Sequence, residues 1–389
     1  MHNITTDEDL SNAVPARHWH REDGRIVCDL CPRACKLQEG QRGLCFVRAR
    51  VNDQLVLTTY GRSSGFCIDP IEKKPLSHFL PGTPVLSFGT AGCNLTCKFC
   101  QNWDISKSRQ MDRLMDTATP KAIAQAAKQT GCRSVAYTYN DPVIFLEYAV
   151  DIAKACHDLD IKNVAVTAGY INEGAREEFF DRMDAVNLDI KAFSKDFYKQ
   201  LCTADIENVK ETAIYLAKKP HCWLEVTTLL IPDENDSDEE IKEFSHWFYN
   251  QLGPDIPLHF TAFHPDYKMR DKARTPKETL LRARALAKDA GIHHVYCGNV
   301  HDKHSATTYC PSCHKALIER DWHQILSWRM AQGGHCADCG TAIAGIFEGK
   351  AGNWGQKRQR VSFKANPPAK PTHQIKKQKS VKINLPSQF

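Results

Sequence analysis

Cys93, Cys97 and Cys100 fall within eight residues, in the stretch TAGCNLTCKFCQNW (residues 90–103), with no fourth cysteine beside them. Thiolates are soft donors for zinc and iron, and both a structural zinc site and an ordinary iron–sulfur cluster close with four protein ligands. Three leave one position open. Either the fourth ligand comes from elsewhere in the fold, or the open position is the purpose. At spacing C-x3-C-x2-C one loop can grip three irons of a [4Fe–4S] cube and leave the fourth iron for a small molecule. That second reading is the one adopted.

Two further sets flank the triad. Cys310, Cys313, Cys336 and Cys339 form two C-x2-C knuckles separated by 22 residues, close to a zinc-ribbon spacing. Four thiolates give zinc a closed tetrahedral shell and a structural role; rubredoxin-like iron is the alternative, since an all-sulfur shell suits both. Cys28, Cys31, Cys35 and Cys45 are spaced C-x2-C-x3-C-x9-C. Spacing alone leaves zinc and a second [4Fe–4S] cluster equally open there. The other six of the 17 cysteines are scattered. Disulfides are the competing use of so many cysteines, but dense disulfide frameworks belong to short secreted chains.

The elements that would position the triad are apolar, β-branched runs followed by helical patterns: VLSFGT, SVAYTY, NVAVTA, AVNLDI, WLEVTTLLI and LHFTAF. Thr119 and Pro120 cap and start one helix that Gly131 stops, and Ser237 opens another with an acidic first turn. Strand–helix units in series imply a parallel sheet, because parallel strands need crossover connections. Polar groups follow each strand: the cysteine triad, NDP (140–142), GYIN (169–172), Lys191, IPDEND and HPD (264–266). An open doubly wound sheet gathers ligands at one switch point, whereas a barrel collects them around one mouth. The expected fold is therefore α/β, a partial (β/α)6 TIM-like barrel carrying small N-terminal and C-terminal metal-binding modules of four cysteines each.

The net charge of +5 is a property of the end of the chain. Residues 351–389 hold nine Lys or Arg and no acidic residue, leaving 42 basic against 46 acidic groups in the rest. Within this tail, residues 357–384 combine the charge with three prolines and little apolar content, and the tail is expected to be disordered. Basic tails bind nucleic acid through phosphates, although a solubilising extension is the plainer reading. The polar start of the chain has no signal-peptide core, and no apolar run is long enough to span a bilayer. A cytoplasmic location is expected. The boundaries read as an N-terminal arm with a four-cysteine motif (1–50), of which 1–24 is loose, a linking β segment (51–83), a core barrel (84–302), a zinc-ribbon-like module (303–348) and the tail (349–389).

The segments CPRACKLQEGQRGLC, DPIEKKPLSHFLPGTPVLSFGTAGCNLTCKFCQNW, YTYNDP, NLDIKAF, FHPDYKM and VYCGNV resemble the radical S-adenosylmethionine (SAM) component of the AmmeMemoRadiSam system. That group is similar to the pyruvate formate-lyase activating enzymes. The resemblance implies that SAM chelates the open iron and is cleaved to a 5′-deoxyadenosyl radical. It implies a cofactor role for Phe99 in the C-x3-C-x-aromatic-C form, and an amino-group site at Asn140 and Asp141. It places Asp189 and Lys191 against the nucleoside and carboxylate of SAM, and His264 as a polar contact. Two departures stand out: the family pattern has Glu where this chain has Asp141, and Asn where it has Ala168. Implied partners are an electron donor such as flavodoxin or ferredoxin and Memo-like and AMMECR-type proteins. The substrate stays open among three readings: a glycyl radical on a partner protein, an RNA or metabolite, or no substrate in a metal-stabilised scaffold. The eight-cysteine insertion of many activases is absent.

Overall fold

The computed structural model describes residues 10, 12–107, 116–363 and 381–382. All six apolar runs become parallel strands: β1 (Pro84–Phe88), β2 (Ser134–Tyr137), β3 (Lys162–Thr167), β4 (Ala185–Asp189), β5 (Trp223–Leu230) and β6 (Leu258–Ala262). They lie side by side in chain order, with Tyr137 level with Phe88 and Ala165. A seventh parallel strand that the sequence reading did not assign, β7 (Val295–Gly298), extends the sheet beyond β6. On the other edge Phe66–Pro70 runs antiparallel to β1. Among the described residues no ladder joins the two edges, so the barrel is partial.

Both faces of the strands are buried, which explains their near-continuous apolar character. Leu86 and Phe88 belong to the large core under the helices, while Val85, Ala136, Val164 and Ala185 pack inward against Ile71, Leu76, Phe79 and Leu80. The helices begin where their caps lie: Thr119 Oγ accepts from Ala122 N at the start of Pro120–Gln129, and the Ser237 side chain accepts from Glu240 N ahead of Asp238–Leu252. No helix among the described residues is long and apolar enough to cross a membrane.

Two expectations are corrected. Residues 12–24 are not a loose arm, because Trp19–Glu22 pairs with Arg25–Cys28, which in turn pairs with Lys36–Leu37. The tail is not wholly unstructured either: Gln359–Ser362 adds an antiparallel strand beside Phe66–Pro70. Val361 and Phe363 are buried, and the Phe363 ring meets Phe66 at 4.6 Å. Burial of these alternating apolar residues stabilises the added strand. Residues 364–380 and 383–389 lie outside the described residues.

Residues 308–347 form small antiparallel sheets with a core of Leu317, Ile318, Met330 and Ile343. Arg320, 2% exposed, donates to Thr308 Oγ and to the Ser77 carbonyl, which fastens this module to the barrel floor.

Candidate metal and cofactor site

The triad sits on the loop that leaves β1, with Cys93 and Cys97 buried and Cys100 half-buried. Backbone and side-chain ties hold this loop from three sides. The Asn140 amide spans it, donating to Gly92 O at 2.8 Å and accepting from Thr90 N at 3.1 Å. Lys98 N donates to Leu201 O at 2.9 Å, and Thr96 N to Cys202 O at 3.2 Å. Gly92 has φ +81°, and a Cβ there would stand 1.9 Å from the Cys45 carbonyl oxygen. Only glycine allows this close approach.

The surroundings pull Cys93 and Cys97 in opposite directions. Burial pushes the Cys93 thiol up to about 12, against a pull from Lys107. Cys97 is drawn down, first by a hydrogen bond from Cys202 and then by the Lys191 and Lys107 ammonium groups. Cys202 is thus a cysteine the sequence reading passed over; it is fully enclosed behind Cys97 and had no spacing partner to mark it. The chain is free of disulfides among the described residues.

The other expected residues gather at the same mouth. Asp141 follows β2 and ties it to the end of β3: its carboxylate accepts from Val143 N, Thr167 Oγ and Ala168 N at 2.9–3.2 Å. Burial pushes its pKa up to about 6, against these hydrogen bonds and Lys191. Three of about four lone-pair positions on an ionised carboxylate are filled, so one remains. Asp189 at the end of β4 holds Lys191 Nζ at 2.6 Å. His264, half exposed, accepts at Nδ1 from Gln101 Nε2 at 2.9 Å. Phe99 turns inward, its ring 5.5 Å from that of Phe197, while the Asn140 amide makes the two hydrogen bonds that span the cysteine loop.

Beside Gln101 and Asn102 a cleft of about 550 Å³ opens, walled on its far side by Cys67, Tyr139, Arg358 and Arg360. Arg360 lies on the tail strand and Arg358 just before it. Cys67 Sγ lies 2.9 Å from the Tyr139 hydroxyl, and that hydroxyl donates to Asp69.

The two outer cysteine sets differ in shape. In the C-terminal one, Cys310 and Cys339 sulfurs are 3.6 Å apart, Cys313 and Cys336 sulfurs 3.7 Å, and all four lie within 4.8 Å. Tetrahedral Zn–S bonds of about 2.3 Å require sulfurs about 3.8 Å apart. Gly340 and His314 both adopt left-handed conformations after their knuckles (φ 76° and 60°). The four C-terminal sulfurs are thus gathered closely enough to hold a metal ion.

Known proteins identify the family. The radical SAM superfamily matches residues 88–245. An uncharacterized protein of Methanocaldococcus jannaschii is 42% identical over 299 residues, covering 77% of this chain and 89% of that protein. The pyruvate formate-lyase-activating enzyme of Clostridium pasteurianum is 25% identical over 199 residues, 48% of this chain and 83% of the enzyme. A crystal structure of a radical SAM methyltransferase from Sphaerobacter thermophilus aligns with 74% of this chain and 77% of its own, at 14% identity and a TM-score of 0.44. The chain belongs to the radical SAM superfamily and is homologous to pyruvate formate-lyase activating enzymes.

Proposed function

We propose that this protein cleaves SAM reductively and abstracts hydrogen from a substrate admitted through the cleft beside Gln101. The observation that carries the reading is the donor set: three thiols on one loop at the barrel mouth, with the Lys107 and Lys191 ammonium groups beside them to offset thiolate charge. This set suits a [4Fe–4S] cluster held by Cys93, Cys97 and Cys100, which when bound supplies the electron that splits the sulfonium of SAM.

The chain's own residues do the rest. Asp141 offers its remaining lone pair to the ammonium of SAM, while Lys191, held by Asp189, faces the carboxylate; paired charges of this kind fix a zwitterion's orientation. Asn140 positions the cysteine loop. His264 and Gln101 form a polar rim, and Phe99 packs the loop from beneath. The surrounding strands exclude water from the reacting groups. The C-terminal four cysteines hold zinc as a staple. An activase acting on a partner protein is the favoured substrate class, supported by the homologous activating enzymes; Memo-like and AMMECR-type partners follow from the motif resemblance alone.

The test is electron paramagnetic resonance of the reduced protein. Adding SAM should change the spectrum of the triad's cluster, because a ligand joins its open iron. An unchanged spectrum at saturating SAM contradicts the proposal.

A further inference from the structure

The N-terminal cysteines do not close like the C-terminal ones. Among the described residues, Cys310, Cys313, Cys336 and Cys339 are the one group of three or more donors gathered tightly enough for a single ion. Cys28, Cys31, Cys35 and Cys45 instead stand around one cavity, sharing its wall with Arg33, Arg48 and Asn94. A single ion draws four sulfurs together, whereas a cube binds each sulfur to a different iron and holds them apart.

The Arg48 guanidinium is buried against the set and paired with Glu147 at 2.6 Å. A cube with four thiolates is a net anion, and Arg33 in the same wall adds a cation beyond the Arg48–Glu147 pair. Cys28, Cys31 and Cys45 are each less than a tenth exposed, so the site is shielded from solvent.

The set abuts the triad. The Cys45 carbonyl rests on Gly92, next to Cys93, and Arg33 Nε donates to Asn94 O at 2.8 Å. We propose that Cys28, Cys31, Cys35 and Cys45 hold a second [4Fe–4S] cluster, ligated at all four irons, that relays electrons to the triad's cluster. One electron enters from a low-potential donor protein and the same electron passes on; no bond forms or breaks and no proton moves. The metal site stands independently of SAM cleavage, while its relay role rests on that reading.

The test is anaerobic reconstitution of a Cys93→Ala/Cys97→Ala/Cys100→Ala variant, with iron, sulfide and zinc counted. About four irons and four sulfides per chain should remain, with a reduced-state resonance that SAM does not alter. Absence of iron, with zinc in its place, overturns the proposal. Cys35→Ser, at the least buried of the four, added to the triple variant should abolish the residual iron while circular dichroism shows the fold kept; iron that persists overturns the assignment. In the wild-type background, Cys35→Ser should slow SAM cleavage at least tenfold more with flavodoxin as donor than with titanium(III) citrate. Equal slowing with both donors overturns the relay. If wild type cleaves no SAM, the proposed function falls, and the iron count still decides the metal site.

Discussion

Asp141→Asn is the perturbation that probes the proposed ammonium site most sharply. The carboxyl is 4% exposed and its pKa is raised to about 6 by burial. Relative to an ordinary aspartate near 3.8, the folded apoprotein holds this proton more tightly than the unfolded chain. The sign follows: the group's contribution to stability is present below pH 3.8 and is lost as pH rises to 6, about 3 kcal/mol in all. A bound ammonium favours the ionised form and reverses that loss. SAM affinity should therefore be flat above about pH 7, and Kd should rise about tenfold per unit below about pH 6. Replacing the carboxylate removes a charged hydrogen bond of about 1.5–3 kcal/mol, so Asp141→Asn should weaken SAM binding about 10- to 150-fold and flatten the pH profile. Asp141→Glu, which keeps the charge, should recover part of the affinity. Anaerobic calorimetry from about pH 5 to 8 measures both quantities. A variant whose Kd and slope match wild type refutes the reasoning.

Other expectations follow from specific contacts. Gly92→Ala forces a Cβ to within 1.9 Å of the Cys45 carbonyl at a φ of +81°; the strain of about 1–3 kcal/mol should appear as a lower melting temperature and incomplete iron loading. Arg48→Ala leaves Glu147 buried without its 2.6 Å partner and should cost about 3–5 kcal/mol in urea unfolding, with Arg48→Met/Glu147→Leu recovering much of it. Cys336→Ser breaks the tight C-terminal group; elemental analysis should show the loss of one metal ion per chain, and protease should then cut first within residues 308–347.

The barrel was legible because β1 to β6 are buried on both faces and so read as continuous apolar runs between capped helices. β7 was not assigned, since Val295–Gly298 is short and ends in glycine. The tail strand was hidden for a different reason. Val361 and Phe363 alternate with Arg358, Arg360 and a serine, and charge dominated the local composition. Its consequence for the site, two arginines in the wall of the cleft, could not be read without the fold. The triad's spacing marked the candidate site directly. Asn140 and Phe99 show what a motif leaves out: the sequence marks their positions, but the hydrogen bonds of Asn140 across the cysteine loop and the packing of Phe99 on Phe197 are visible only in the fold. Cys202 had no neighbour in sequence, and only tertiary structure brings it to Cys97.

The central claim is that Cys93, Cys97 and Cys100 support reductive cleavage of SAM. The direct measurement is 5′-deoxyadenosine released by anaerobically reconstituted protein supplied with SAM and a low-potential reductant, compared with the Cys93→Ala/Cys97→Ala/Cys100→Ala variant. Wild type is expected to form 5′-deoxyadenosine and methionine in equal amounts and the variant to form neither. Iron-loaded wild type that releases no 5′-deoxyadenosine, or a variant that releases as much, would contradict it.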